Sequence, residues 1–202
     1  MKNLIEFNHV SYAYTLPSGE RISAMQNVSF SIQPGERLAL IGANGSGKTT
    51  LVKLMNGLLL PEQGTVLVNG FSTCDNSHQG QILSKIGLVF QNPRDQIVAS
   101  LVEEDVAFGP ENLCLPRSEI CKRVDESLAL SGATYLKKRQ TYLLSAGETQ
   151  RVALAGVLAL KPACLIFDET TAMLDGRSRN ELLSIMELFH AQGYTIVQVT
   201  HD

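Results

Sequence analysis

From Leu4 to Gly70 the apolar positions come in short runs, most of them alternating with polar ones. Ile5 to Tyr14, Val28 to Ile32 and Thr65 to Val68 read as strands, separated by turn chemistry at Pro17-Ser18-Gly19, Pro34-Gly35 and Pro61-Glu62-Gln63-Gly64. Leu38-Ala39-Leu40-Ile41 is apolar throughout, as a strand buried on both faces must be. After a glycine-rich stretch, Leu51, Leu54, Met55, Leu58 and Leu59 recur at i, i+3, i+4, i+7 and i+8, which predicts a helix with one apolar face against a sheet. Ile86-Gly87-Leu88-Val89-Phe90 predicts another buried strand, ending at Gln91. Between Asn92 and Leu144 the texture turns helical: Ser100-Leu101-Val102-Glu103 fits a capping box, and Ile120, Val124 and Leu128 share a face after Pro116. Strand patterns return at Cys164-Leu165-Ile166-Phe167 and from Thr195 to Thr200, with helices between them, the alternation that a parallel-stranded α/β core requires.

At 202 residues and 44% hydrophobic content the chain has ample material for a buried core. Its longest unbroken apolar stretch, Val152 to Leu160, is too short to cross a bilayer, and Met1-Lys2-Asn3-Leu4 lacks the apolar region of a signal peptide. A net charge of −3 shows no basic excess pointing to nucleic acid as the main ligand. Cys74, Cys114, Cys121 and Cys164 have no metal-binding spacing and read as reduced thiols, Cys164 in the core. His9, His78 and His190 fall in no motif, and Lys137-Lys138-Arg139 reads as a solvated loop.

The chemistry starts at Gly42-Ala43-Asn44-Gly45-Ser46-Gly47-Lys48-Thr49, a G-x-x-x-x-G-K-T stretch set between the strand at Leu38 and the helix at Leu51. Glycines let successive backbone N–H groups point inward at phosphate oxygens, and the helix adds its positive end. Lys48 is placed to bridge β- and γ-phosphates, and the Thr49 hydroxyl to ligate Mg²⁺. Leu165-Ile166-Phe167-Asp168-Glu169 is an apolar strand ending in two acids, which puts Asp168 beside the metal and Glu169 where a carboxylate can orient and deprotonate water. Paired acids at a strand end are also commonly just solvated or helix-capping. Leu144-Ser145-Ala146-Gly147-Glu148 precedes the helix from Thr149 to Leu160, a second helix N-terminus with a hydroxyl and small-residue amides for an anion.

In this order the set resembles the nucleotide-binding subunits of ABC transporters, over essentially the whole chain. Gly42 to Thr49 is similar to their Walker A motif, Leu165 to Glu169 to Walker B and Leu144 to Glu148 to the L-S-G-G-Q signature. Gln91 matches the Q-loop glutamine, Ala172-Met173-Leu174-Asp175 the D-loop, His201 the switch histidine and Tyr14 the aromatic that stacks on adenine. Gln91-Asn92-Pro93-Arg94-Asp95-Gln96, followed by Glu103 to Asn112, resembles the ATPase subunits of energy-coupling-factor and cobalt or nickel importers.

The resemblance implies a P-loop NTPase fold of the α/β class: a mixed, mainly parallel central sheet, an N-terminal antiparallel β subdomain and an inserted helical subdomain. It implies a single domain over 1–202, with 1–91 and 146–202 as nucleotide-binding core and 92–145 as helical subdomain. ATP and Mg²⁺ are the implied cofactors. Nucleotide binding falls to Tyr14, Gly42, Asn44, Gly45, Ser46, Gly47, Lys48, Thr49 and Thr50, with Ser145, Gly147 and Asp175 acting across a subunit interface. Catalysis falls to Glu169, His201, Gln91 and Lys48, and the metal to Thr49, Gln91 and Asp168. The implied partners are a second ATPase subunit, identical or paralogous, placed head to tail, a transmembrane coupling subunit and a substrate-capture membrane protein. The implied location is the cytoplasmic membrane face.

Ala146 replaces the first glycine of the signature pair, at roughly 1 kcal/mol if that position needs positive φ, and Glu148 replaces its glutamine. Family members usually continue past the switch histidine, so the C-terminal part of the usual domain is expected to be missing after Asp202. Two other readings stay open: a soluble ABC-type ATPase serving repair, translation or iron-sulfur assembly, and a regulatory protein that binds ATP without hydrolysing it.

Overall fold

The computed structural model describes residues 2–170 and 175–200, leaving aside the side chain of residue 177. Strands β1 (Ile5–Thr15) and β2 (Arg21–Ile32) form a hairpin whose turn closes through Leu16 N–H to the Glu20 carbonyl at 2.8 Å. With β4 (Gln63–Val68) and β5 (Phe71–Ser72) they make a four-stranded antiparallel sheet, order β2-β1-β4-β5. Gly64 sets the approach of β4 to β1: its φ is +78°, and a Cβ there would lie 2.3 Å from the Asn8 carbonyl oxygen, so no other residue fits.

A second sheet is parallel throughout its described strands, in the order β3 (Arg37–Ile41), β8 (Thr195–Thr200), β7 (Cys164–Asp168), β6 (Ile86–Val89). Every residue of β6 and β7 is buried, which is why both read as unbroken apolar runs. Helix α1 (Lys48–Met55) packs Val52, Leu54 and Met55 into a core shared by the two sheets. Helix α2 (Gln79–Lys85) leads into β6, and α6 (Gly176–Ala191) lays Leu182, Met186 and Phe189 on Leu165, Phe167 and Ile196. A helical lobe, α3 (Val102–Asn112), α4 (Arg117–Leu130) and α5 (Ala146–Leu158), has its own cluster around Val106, Leu128, Leu136 and Val152. Its α5 also sends Leu154 and Leu158 into the α6 cluster, so one helix belongs to both cores.

Three expectations need correction. Strand β2 starts at Arg21, well before Val28. Helix α1 stops at Met55 because Gly57 turns left-handed at φ +77°, and Leu58, expected on its apolar face, is half exposed. Ser100 does not cap α3, whose N-cap is Leu101. The backbone carbonyls of Arg139 and Lys137 instead accept from the N–H groups of Val102 and Glu103 at 3.0 and 3.1 Å, satisfying the helix end from a distant loop.

Candidate functional site

The loop after β3 is built around two left-handed glycines, Gly45 at φ +81° and Gly47 at φ +89°; Gly47 is the N-cap of α1. A Cβ on Gly47 would sit 2.7 Å from the Ala24 carbonyl oxygen, so the loop is pressed against β2, while Gly45 faces open space. Lys48 folds back beneath the loop, its Nζ donating to the Gly42 and Ala43 carbonyls at 2.7 and 3.1 Å. That ammonium also lies 3.4 Å from Glu169 Oε1, with the two side chains only 9% and 14% exposed. Glu169 Oε2 accepts from Gln91 Nε2 at 3.3 Å. Residues far apart in the chain thus meet at one point.

Asp168 and Glu169 go different ways. Asp168 ends β7 and is buried, and burial pushes its carboxyl above the usual carboxylate range. A hydrogen bond from the Thr49 hydroxyl opposes that shift, the Glu169 charge adds to it, and Lys53 and Lys48 pull against it. Among the described residues Asp168 Oδ1 has no hydrogen-bond partner. A buried carboxylate oxygen left unpaired beside a hydroxyl is a donor set suited to a hard divalent cation. No group of three His, Cys, Asp or Glu side chains fit to hold a metal occurs among the described residues. Glu169 takes φ +50°, a costly conformation for a non-glycine residue, and this aims its carboxylate at Lys48 and Gln91.

A cleft of about 430 Å³ runs from this point to β1 and β2. Asn44, Gly45, Gly47, Lys48, Thr49 and Thr50 line one end, with Gln91 and Glu169. Tyr14, Ile22, Ser23 and Ala24 line the other, and Tyr14 is 39% exposed with its hydroxyl 3.1 Å from Thr50 Oγ1. Gly42 and Ser46 line the adjoining hollow beside β3. Ile22, Ser23 and Ala24 went unnoticed in the sequence because they match no motif, and the adjacent apolar pair Ala24-Met25 breaks the alternation that would have marked a strand.

Ser145 and Gly147 lie outside this cleft. Ser145 caps α5 in a reciprocal box: its Oγ accepts from Glu148 N–H at 3.3 Å, and Glu148 Oε2 accepts from Ser145 N–H at 2.9 Å. Those bonds hold the Glu148 carboxyl below its ordinary range, aided by Arg139 and Arg151. Ala146 is the first residue of a regular helix and has no positive φ, so replacing glycine there carries no backbone strain. Asp175 accepts from Ser178 N–H and Oγ at 2.9 and 3.0 Å, and Ser178 in turn abuts Gly147, where a Cβ would lie 3.3 Å from its Oγ. Ser178 therefore joins Asp175 to Gly147, and Gly147 and Lys48 line different hollows. His201 and residues 171–174 lie outside the described residues.

A second, mostly apolar groove of about 280 Å³ separates the lobe from the core, edged by the exposed Leu58, Leu83, Val98 and Phe108. Asp105 closes it from below, holding Val98 and Ala99 N–H at 2.7 and 3.0 Å; its own carboxyl is raised by burial. Gln96 ties the groove to the cleft, bonding the Phe90 N–H and the Leu88 carbonyl at 3.2 Å each, next to Gln91.

A family model described as ABC transporter matches residues 25–172. The energy-coupling factor transporter ATP-binding protein EcfA1 of Clostridium novyi (strain NT) is 49% identical over 201 residues, 99% of this chain and 72% of that protein. The corresponding EcfA protein of Methanosarcina acetivorans is 48% identical over 199 residues, 98% of this chain and 71% of that one. Among solved structures, cbiO1 from Clostridium perfringens, part of the ABC transporter complex cbiONQ, superposes with a TM-score of 0.86 at 36% identity, covering 100% of this chain and 80% of that one. An ATP-binding cassette dimer in a post-hydrolysis state, bound to ADP and Pi, has a TM-score of 0.86 at 29% identity over 98% of this chain and 88% of its own.

Proposed function

The chain belongs to the ABC transporter family, and from that premise we propose that it binds and hydrolyses ATP to energise an importer of the energy-coupling-factor class. The observation that carries the reading is the meeting of Lys48, Glu169 and Gln91 under the glycine loop, with the unpaired Asp168 Oδ1 beside Thr49. The adenine stacks on Tyr14, and the triphosphate runs along Gly45 to Thr50, where backbone N–H groups and the end of α1 match its charge. Lys48 exchanges its loop carbonyls and Glu169 for phosphate oxygens. Asp168, Thr49 and Gln91 would hold Mg²⁺, which would supply charge neutralisation at the phosphates. Glu169, released from Lys48, orients the attacking water and takes its proton.

Ser145 and Gly147, which do not line the cleft, meet in this reading the γ-phosphate of a second cassette placed head to tail, identical or paralogous. Asp175, against Gly147, links the two sites. In this reading 92–145 moves as a helical subdomain against the core, and closing of the dimer follows from phosphate charge matched only when both halves meet. The groove beside Gln96 receives the transmembrane coupling subunit, a placement supported by the Gln96 bond to Phe90, the residue before Gln91. A separate membrane protein captures the substrate, and the chain sits peripherally on the cytoplasmic face. Among the described residues no helix is long and apolar enough to cross a membrane.

The test is to recover the tagged chain from detergent-solubilised native membranes, with and without ATP. A polytopic membrane protein arriving with a second cassette is the expected result. Purely soluble partners for a chain that folds and binds ATP would favour the soluble ATPase instead.

A further inference from the structure

Lys137, Lys138 and Arg139 read as a solvated loop, yet each pairs with an acid on a different helix. Lys137 Nζ reaches Asp125 Oδ1 of α4 at 2.6 Å, Lys138 Nζ reaches Glu103 Oε1 of α3 at 2.6 Å, and Arg139 Nη1 lies 3.6 Å from Glu148 Oε1 of α5. The same loop caps α3 with its Lys137 and Arg139 carbonyls. The basic run is therefore a three-way tie across the helical lobe, and one arm ends at the capping residue of Ser145.

That arm meets an electrostatic conflict. A carboxylate in the first turn suits α5 in the isolated chain, since it satisfies an orphan N–H and faces the positive helix end. The same helix end must also approach a phosphate if Ser145 acts on a nucleotide, and there the Glu148 charge repels. Arg151 is also near, but its guanidinium is held by the Gly132 carbonyl and by Glu181. Arg139 is 48% exposed and pairs with Glu148, whose side chain is 20% exposed, so it screens the carboxylate from the solvent side.

We propose that Arg139 is a positioning residue for the nucleotide site of a second copy of this chain: it neutralises the Glu148 carboxylate, so that the Ser145 end of α5 can close on that copy's γ-phosphate. This rests on the head-to-tail reading given above.

The experiment measures nucleotide-driven dimerisation by sedimentation velocity, with a non-hydrolysable ATP analogue and Mg²⁺, for wild type, Arg139→Gln, Arg139→Lys, Glu148→Gln and the Arg139→Gln/Glu148→Gln double variant. Nucleotide affinity is measured alongside at protein concentrations too low for dimers. Arg139→Gln is expected to weaken dimerisation about two- to fivefold, the scale of one partly exposed ion pair, without changing monomer affinity. Arg139→Lys is expected to recover most of the loss, and in the Glu148→Gln background Arg139→Gln is expected to have no effect. A role for Arg139 independent of Glu148 would persist when Glu148 loses its charge, and a purely structural role of the ion pair would show as a lower melting temperature of the nucleotide-free Arg139→Gln monomer, which the proposal does not require. Dimerisation untouched by Arg139→Gln, or weakened equally in both backgrounds, overturns the proposal alone. A wild-type chain that binds nucleotide and stays monomeric overturns self-pairing and the proposal together.

Discussion

Three glycines of the phosphate loop separate backbone conformation from steric contact, and alanine at each yields a graded result. Gly42 has no left-handed φ, and a Cβ there meets Ser46 Oγ at 2.8 Å, the end of a side chain that can rotate away. Gly42→Ala should therefore cost under about 1 kcal/mol of stability. Gly45 sits at φ +81° with nothing within 4 Å, so alanine bears only the left-handed penalty, about 1–2 kcal/mol. Gly47 combines φ +89° with the Ala24 carbonyl oxygen 2.7 Å from the added carbon. A backbone atom cannot swing aside, so overpacking adds about 1–3 kcal/mol. In a chain of this size about 1 kcal/mol moves the melting temperature by roughly 2–4 °C. Calorimetry on the nucleotide-free protein should therefore rank the losses Gly42→Ala, Gly45→Ala, Gly47→Ala in rising order. Titration with a fluorescent ATP analogue supplies the second axis: Gly45→Ala should lose more affinity than its stability cost explains, because the proposed function puts phosphate in the open space before it. If Gly47→Ala proves no less stable than Gly45→Ala, the contact with Ala24 does not constrain the loop and the steric argument fails.

Glu169→Gln should keep ATP binding, accumulate the closed dimer and lose turnover by about 10²–10⁴-fold, the usual range for a general base; near-normal phosphate release would remove Glu169 from that role. Lys48→Ala should lose most ATP affinity by equilibrium titration, and unchanged binding would contradict its place beneath the loop. Tyr14→Ala should weaken nucleotide binding by about 1–3 kcal/mol and Tyr14→Phe by much less, since stacking survives the loss of the bond to Thr50; equal losses would assign the effect to the hydroxyl. Burial raises the folded-state pKa of Asp168, so its ionised form costs stability at neutral pH, and that cost fades as pH falls toward the unfolded value of 3.8. Asp168→Asn should accordingly raise the melting temperature of the nucleotide-free protein at neutral pH, with the gain shrinking in acid, while Mg²⁺-dependent ATP binding falls; a lower neutral-pH melting temperature would refute the burial argument.

The sequence disclosed the parts of the site whose chemistry is local. A glycine loop between a strand and a helix is legible because its backbone needs are written in residue type, and β6 and β7 because burial on both faces leaves them apolar throughout. Features that depend on distant partners were hidden. Ser100 to Glu103 has the residues of a capping box, but loop carbonyls from Lys137 and Arg139 took the helix end first. Ser145 to Glu148 makes the real box, and the motif reading had seen only a phosphate contact there. The basic run looked solvated because its three acids come from three helices. The β2 contribution to the cleft was missed because Arg21 to Asn27 is mostly exposed and polar, with only Met25 buried.

Asp168 and Glu169 are adjacent acids at one strand end, and the backbone assigns them different work. Strand alternation carries Asp168 inward, where burial disfavours its charge more than the Thr49 hydroxyl, Lys53 and Lys48 favour it. A continuing strand would have pointed Glu169 to the opposite face, away from Lys48. The left-handed turn at φ +50° prevents that, at a cost of about 1–2 kcal/mol that a glycine would avoid, and the protein retains it because the side chain is needed there. Buried Asp168 and strained Glu169 are both destabilising as they stand, but only the first would be relieved when the proposed ligand arrives. A bound cation would take the unpaired oxygen of Asp168, whereas phosphate drawing Lys48 away from Glu169 would remove an attractive ion pair and leave the backbone strain in place. In the proposed reading the strain at Glu169 is therefore a standing cost of placing a carboxylate where hydrolysis needs it, and the unfavourable energy that binding releases lies at Asp168.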